Sequence, residues 1–479
     1  MQADMQTTPS GVATDEDERG YIASLVQRAR QAMAEFADAD QARVDDAVTA
    51  LAWSLYKPEH AKHLAERAVQ TTGLGRVDSK IIKNQRKTFG ALRDLLRVKS
   101  VGIVEDLPER GLVKYAKPVG VVAAVTPSTN PSATPVNKAM FAVKGRNAII
   151  VAPSPSGFAV TSETVQLMRK ELQKIGLPAD LVQVLERKPS KRLTAELMQQ
   201  ADLVVVTGSQ NNVRAAYSSG TPAIGVGAGN VPVIIDASAD LADAAEKIRI
   251  SKTFDNATSC SSENALVIVD SVYEQAIEAL QKAGGHLISL AGKHEIERGL
   301  WQNGKLNRDV IARDASVVAQ KLQLDAGAQS AQFFMVEETG IGADHPLSGE
   351  KLSLVLTVYR AQDFKDACRI VREILDYEGR GHSCGIHTQD AGHATYLAET
   401  VDVVRVLVNQ AHTMGNGGSF DNGLNFTLSM GCGTWGGNSI SENLNYKNFL
   451  NYTYLVRTIP ADEPAEQELF GGYWQRHGK

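Results

Sequence analysis

The stretch KTFDNATSCSSEN, residues 252–264, surrounds one thiol, Cys260, with the polar side chains of Asp255, Asn256, Thr258, Ser259, Ser261, Ser262 and Glu263. A free cysteine more often behaves as a small buried hydrophobe. Set between a polar turn and the apolar run ALVIV (265–269), Cys260 reads instead as a side chain presented at the lip of a strand. There a thiolate could act as a nucleophile toward a carbonyl. The other cysteines, 368, 384 and 432, are widely spaced and form no metal-ligand doublet and no dense disulfide framework. No metal site is expected, and the thiols read as those of a reduced, cytoplasmic protein.

Two glycine-bearing segments invite a phosphate-binding reading, and they differ in the element that comes next. AIGVGAGN (223–230) is followed by the strand-like VPVIID, whereas a phosphate cradle needs a helix N-terminus after the glycines. Gly208-Ser209 follows the apolar run LVVVT and opens the helical pattern QNNVRAAY, so it is the better anion site.

The elements that must hold these residues follow from periodicity. Residues 21–37 (YIASLVQRARQAMAEFA) and 42–56 carry apolar side chains three and four apart, which predicts a helical first hundred residues. Short β-branched runs without alternation then appear at 119–125, 147–153, 181–185, 201–209 and 231–236. Helical patterns separate them, such as 161–176, closed by Gly176 and Pro178. Unalternating strands between helices predict a parallel sheet covered on both faces, with ligands at the carboxyl ends of its strands. After Asp236 the pattern resumes through ALVIVD, LSLVLTVY (352–359), a helix at 363–377 and VVRVLVN (403–409), which predicts a second α/β domain. The Gly-, Asn- and Ser-rich segment 411–443 reads as a long functional loop.

The order of motifs resembles the aldehyde dehydrogenase superfamily, and within it the coenzyme A (CoA)-acylating branch. The resemblance covers roughly residues 20–458. It rests on VTPSTNPS (125–132), VVVTGS (204–209), AAYSSGTPAIGVGAGNVPVIID (215–236), SKTFDN…C (251–260), EKLS (350–353), GRGHS (379–383) and GCGTWGGNSISEN (431–443). It implies an aldehyde dehydrogenase-like α/β fold: two Rossmann-like parallel-sheet domains and a small β oligomerisation element. The implied cofactor-binding domain spans 1–108 and 120–234, and the catalytic domain 235–445. A hairpin at 109–119 and the tail 446–479 would join subunits.

The resemblance also assigns roles. Cys260 matches the nucleophile, and Asn130 the asparagine that, with the Cys260 backbone N–H, stabilises the oxyanion; turn chemistry alone would make Asn130 a cap before Pro131. His382 matches a histidine of the acylating branch and is assigned proton transfer, although a histidine in a glycine turn is also an ordinary hydrogen-bonding residue. Cys384 is the thiol nearest to it in sequence. Glu350 matches the glutamate that holds the nicotinamide ribose, its other reading being an exposed acid before a strand. Thr126, Pro127, Ser154, Thr207, Gly208, Ser209, Gly227 and Leu352 complete the implied cofactor set. Val226 stands where hydrolytic members place the glutamate that activates water, and a valine cannot take a proton. CoA is therefore the expected acyl acceptor.

Residues 152–155 read Ala-Pro-Ser-Pro and lack a ribose-reading carboxylate, while Arg187, Lys188, Lys191 and Arg192 follow a strand. Together these favour NADP, with NAD also accepted. The hydroxyls of Thr258 and Ser259 and the Asn-rich 409–426 predict a polar aldehyde pocket. The resemblance implies sulfoacetaldehyde, a short aldehyde with an anionic tail, as the expected substrate, with Thr258, Asn416 and Arg380 as candidate donors. The alternatives are an acylating enzyme of acetaldehyde or succinic semialdehyde, a hydrolytic dehydrogenase, and a non-catalytic binding or assembly protein. With 50 basic and 55 acidic residues the charge is balanced, and nothing calls for nucleic acid or a membrane as partner. The first twenty residues are polar and lack the features of a secretion signal. The expected protein is a cytoplasmic homo-oligomer, a dimer or tetramer.

Overall fold

The computed structural model describes residues 15–479, so the first fourteen residues of the polar leading segment lie outside the described residues. Four helices, Asp15–Glu35, Gln41–Tyr56, Pro58–Thr72 and Val77–Leu96, precede the first strand. The apolar stripe that predicts the first two is buried: Ile22, Leu25, Val44 and Leu51 share one core with the first large sheet.

That sheet has five parallel strands in the order Val182–Val184, Ala148–Ala152, Val121–Val125, Leu203–Val206, Ala223–Ile224. The chain winds outward from Val121–Val125 on one side and then returns to its other side at Leu203–Val206. The reversal places a ligand crevice at the carboxyl ends of these two strands. The buried Lys138 ammonium ties them together there, donating to the carbonyls of Val125 at 2.8 Å and Val205 at 2.9 Å. Every residue of the three central strands is buried, which is why their sequences do not alternate.

The second sheet has seven parallel strands in the order Gly285–Leu287, Phe333–Glu337, Val355–Ala361, Glu263–Val269, Val231–Ile235, Gly381–His387, Val403–Val408. Val231–Ile235 joins this sheet rather than the first, so the first sheet ends at Ile224, ahead of the division expected at 234/235. GRGHS is a glycine turn that runs directly into a strand: the His382 N–H closes the turn on the Gly379 carbonyl at 3.0 Å, and Gly381–His387 is a strand buried along its whole length. Its Gly, His, Ser and Cys residues carry little strand propensity, and pairing with strands on both sides imposes the conformation.

A small antiparallel sheet joins Gly102–Leu107, Leu112–Pro118 and Leu450–Val456. The hairpin expected near 109–119 thus begins earlier, at Gly102, and the C-terminal strand pairs with it. No helix among the described residues is long and apolar enough to cross a membrane.

Candidate active site

Cys260 lies three residues ahead of Glu263–Val269, at the amino edge of the seven-stranded sheet. Gly229, just before the neighbouring strand, packs directly on it: a Cβ there would lie 2.2 Å from the Cys260 carbonyl oxygen and 2.6 Å from its Cβ. Only glycine permits this approach. The segments Thr126-Pro127 and Thr207-Gly208-Ser209 leave the carboxyl edge of the five-stranded sheet. Lys83, on the helix Val77–Leu96, joins the two edges. Its ammonium donates to Asn130 Oδ1 at 2.9 Å, beyond the first sheet, and to Asp255 Oδ2 at 2.5 Å and Thr258 Oγ1 at 3.4 Å, in the cysteine loop.

The loop ahead of the thiol is strained and tightly tied. Asp255, Asn256 and Ala257 all have positive φ, 52°, 52° and 57°. For a side chain with a Cβ this costs about 1 kcal/mol or more per residue. Asp255 holds the conformation as a fully buried acceptor of four bonds, from the Arg76 N–H at 2.9 Å, Lys80 at 3.1 Å, Lys83 at 2.5 Å and the Thr258 hydroxyl at 2.7 Å. Burial pushes its carboxyl pKa upward, but Lys83 and Lys80 outweigh burial and hold it below the usual carboxylate range.

The thiol itself is protonated at rest. Burial first, then the nearby charges of Glu350 and Cys432, push the Cys260 pKa up to about 12, against a smaller opposing pull from Arg405. Arg405 is a buried guanidinium bonded to the carbonyls of His382 at 2.8 Å and Gly431 at 3.0 Å and to Asn443 Oδ1 at 2.9 Å. Among the described residues it has no carboxylate partner. An arginine inside the apolar run VVRVLV was a sequence signal for it that the motif reading passed over.

His382 is buried. Its Nδ1 shares a hydrogen with the Ser383 hydroxyl at 2.8 Å, and among the described residues its Nε2 has no hydrogen-bond partner. Burial, then Arg405 and His412, hold the ring neutral, and no hydrogen bond joins it to Cys260. Cys384 lies in the apolar core behind this strand. Cys432 is the second thiol that Cys260 feels, so Cys432 rather than Cys384 neighbours the site.

Two donors for an oxyanion are uncommitted. The Asn130 amide accepts from Lys83 through Oδ1, and because lysine can only donate, Nδ2 is the free end. The Cys260 N–H makes no hydrogen bond among the described residues. Glu350 donates its N–H to Glu378 at 2.7 Å, while among the described residues its own carboxyl makes no hydrogen bond or ion pair. Burial and then Glu378 raise that carboxyl to about 8, against opposing pulls from Lys351 and Lys252.

The remaining residues of the implied cofactor set fall into two groups. Thr126 is buried and its N–H caps the Ala152 carbonyl at 3.1 Å; Pro127, Ser154, Thr207 and Gly208 are half-buried at the same sheet edge. Thr207 shares a hydrogen bond with Ser429 at 2.5 Å, and Ser209 caps the helix Gln210–Tyr217. Gly227, by contrast, packs on Cys432, where a Cβ would lie 2.6 Å from the sulfur, and Leu352 is held at φ 43° with its carbonyl bonded to Ala312.

Three expected pocket donors are engaged elsewhere. Thr258 gives its hydroxyl to Asp255, and Asn416 is fully buried and donates to Ser261 at 2.9 Å. Arg380 is exposed and paired with Asp402 and Asp376. Of the expected NADP-binding cations, Arg187 pairs with Asp17 and Arg192 with Glu18. The cavity that Asn130 and Ser259 do line contains cations the sequence reading missed: Lys83, Arg86 and Lys87, all from Val77–Leu96.

Residues 11–294 match the Aldehyde dehydrogenase family. The chain is 52% identical over 459 residues, 96% of its length and 93% of the relative's, to a sulfoacetaldehyde dehydrogenase (acylating) of Cupriavidus necator. A sulfoacetaldehyde dehydrogenase (acylating) of Bilophila wadsworthia is 43% identical over 463 residues, 96% of this chain and 99% of its own. An acetylating aldehyde dehydrogenase from Geobacillus thermoglucosidasius has the same fold, with TM-score 0.90 at 32% identity, covering 94% of this chain and 99% of that one. The cysteine held between two sheet edges, the order of the strands and the extent of these matches agree, and the chain belongs to the aldehyde dehydrogenase family.

Proposed function

We propose that this protein converts sulfoacetaldehyde, CoA and a nicotinamide cofactor to sulfoacetyl-CoA through a thioester on Cys260. One observation carries the reading: the loop that backs the thiol through Gly229 has Val226 where water would need a base. The reaction class, CoA-dependent oxidation of an aldehyde to an acyl-CoA, is that of the relatives named above, and their names supply the aldehyde.

In this reading Cys260 loses its proton as it attacks the carbonyl. The new alkoxide is held by Asn130 Nδ2 and the Cys260 N–H, donors each worth about 3 kcal/mol to such a step. The nicotinamide cofactor, when bound, supplies the hydride acceptor. Cys260 then carries the acyl group as a thioester until the CoA thiol displaces it. Neutral His382, with a bare Nε2, is the assigned proton acceptor for one of the two thiols. The donor set fits a dinucleotide: Thr126, Pro127, Ser154 and Thr207 to Ser209 at the sheet edge would take its phosphates and adenosine half. The unpartnered Glu350 carboxyl would accept from a ribose diol.

We assign the five-stranded sheet with its helices to cofactor binding and the seven-stranded sheet to catalysis. NADP is the favoured cofactor because 152–155 carry no carboxylate, and with Arg187 and Arg192 engaged, the exposed Lys188 and Lys191 are left to meet a 2′-phosphate. A homo-oligomer is supported by Leu450–Val456, an edge strand exposing Tyr454 and Val456. Four free thiols suit a reducing cytoplasm.

Mass detection of the CoA product from sulfoacetaldehyde, with NADP and with NAD, tests the reading. Sulfoacetyl-CoA is expected, at higher kcat/KM with NADP, and none from Cys260→Ala. Free sulfoacetate formed equally well without CoA would overturn it, and a large preference for acetaldehyde would overturn the substrate.

A further inference from the structure

The helix Val77–Leu96 turns an unusual face inward. Lys80 and Lys83 are buried, while Ile82 and Phe89 on the same helix are about half exposed. Lys80 and Lys83 share a single carboxylate, Asp255, so that group already carries one positive charge in excess.

Lys87, one turn further on, donates to the carbonyls of Gly417 at 2.8 Å and Gly418 at 3.2 Å and lies over the Phe426 ring, 5.3 Å from its centroid. Arg86 donates to the Ser419 hydroxyl at 2.7 Å and lies over the Phe420 ring, 5.0 Å from its centroid; among the described residues its buried Nε has no hydrogen-bond partner. Among the described residues neither forms an ion pair; Asp421 feels the charge of Arg86 from beyond ion-pair distance. Both cations line the cavity that contains Asn130 and Ser259, with Phe254, Met414 and Leu428 as its apolar lining. Positive charges without counter-charges in such surroundings are costly, and a carbonyl dipole does not neutralise them. Burial first, then Arg86 and Lys83, depress Lys87 to about 7, as expected of an ammonium lacking an anion.

We propose that Lys87 and Arg86 form an anion subsite in the aldehyde pocket, which binds the sulfonate of the substrate while its carbonyl lies at Asn130. This rests on the function proposed above and names the residues that select for it. The geometry favours a short anionic aldehyde. Lys83 fixes Asn130, and Lys87 follows Lys83 by four residues, a separation of roughly 6 Å along the helix.

The test compares sulfoacetaldehyde with propionaldehyde, a smaller uncharged analogue with a methyl group in place of the sulfonate, in the wild type and in Lys87→Met, Lys87→Arg and Arg86→Gln. The ratio of kcat/KM for sulfoacetaldehyde to that for propionaldehyde is expected to fall ~30-fold or more in Lys87→Met and in Arg86→Gln, mainly through KM. Lys87→Arg should restore most of it. Ethanesulfonate, the anionic tail without a carbonyl, should inhibit the wild type competitively and Lys87→Met ~30-fold more weakly. If the cations merely anchor the 417–419 loop, both aldehydes will suffer alike and the ratio will not move. That result overturns the subsite and leaves the acylating reaction standing. A wild type forming no acyl-CoA from either aldehyde overturns both proposals. Should Lys87→Met fail to fold, Arg86→Gln gives the same reading.

Discussion

Lys83 Nζ lies 2.9 Å from Asn130 Oδ1, so a lysine on the N-terminal helices orients the amide proposed to hold the oxyanion. The bond fixes which end of the amide faces away, since an ammonium has no lone pair to offer. The same lysine is bonded to Asp255 in the loop that carries the thiol. One side chain therefore sets the relation between the two sheet edges on which the reaction depends.

Asn130→Ala is expected to lower kcat ~100-fold, the usual effect of removing one oxyanion donor. Lys83→Gln should lower it too, by freeing the amide to rotate. Because both act through one hydrogen-bond donor, the double variant should be little worse than Asn130→Ala alone. A double-mutant cycle on kcat reads this coupling, and additive losses would separate the two residues.

Asp255→Ala should destabilise the fold by about 3–5 kcal/mol, because it leaves two buried ammonium groups without a counter-charge. The wild-type carboxyl is held below its unfolded value. Its contribution is therefore fully present above a pH of about 4 and fades as the pH falls through the lower folded value. Urea unfolding of wild type and variant should differ most near neutral pH and converge in acid.

How much of this was legible beforehand differs by residue, for physical reasons. Cys260 could be placed because an apolar strand follows it and a polar turn precedes it, and both survive in the fold. The sheets were readable where strands are β-branched throughout, as at Val121–Val125, and unreadable at Gly381–His387, where tertiary pairing overrides poor propensity. Thr258 was expected to face the substrate. Its type said nothing of Asp255, three residues earlier, which takes its hydroxyl. The cations of Val77–Leu96 were missed because charge on a helix is ordinarily read as its solvated face. Their signal was present in the spacing of Lys80, Lys83 and Lys87, which share one side of the helix while Ile82 and Phe89 lie exposed.

Alkylation of Cys260 by iodoacetamide in the free enzyme should keep accelerating with pH, without a plateau between pH 7 and 10. A thiol raised to about 12 is protonated throughout that range, and its thiolate fraction grows with each unit. The slope should be shallowest near pH 8, where Glu350 gains its charge and further opposes the thiolate. A rate already constant at pH 7 would mean a thiolate at rest and would refute the electrostatic account.

Without CoA the enzyme should stop after one turnover. The wild type is expected to release one equivalent of reduced cofactor per active site and to retain the acyl group on the Cys260 peptide, as read by mass spectrometry. The one carboxyl named near the thiol that is uncommitted is Glu350, and burial keeps it largely protonated at pH 7, so it is a poor base toward water there. Glu263, although fully buried three residues from Cys260, already accepts from the Ser251 hydroxyl at 2.6 Å and the His412 N–H at 3.2 Å. Val226→Glu introduces a carboxyl into the loop that backs the thiol and should convert part of the stalled thioester to free acid. Steady release of acid by the unmodified enzyme would show that some other group recruits water, and would remove the reason for a second thiol.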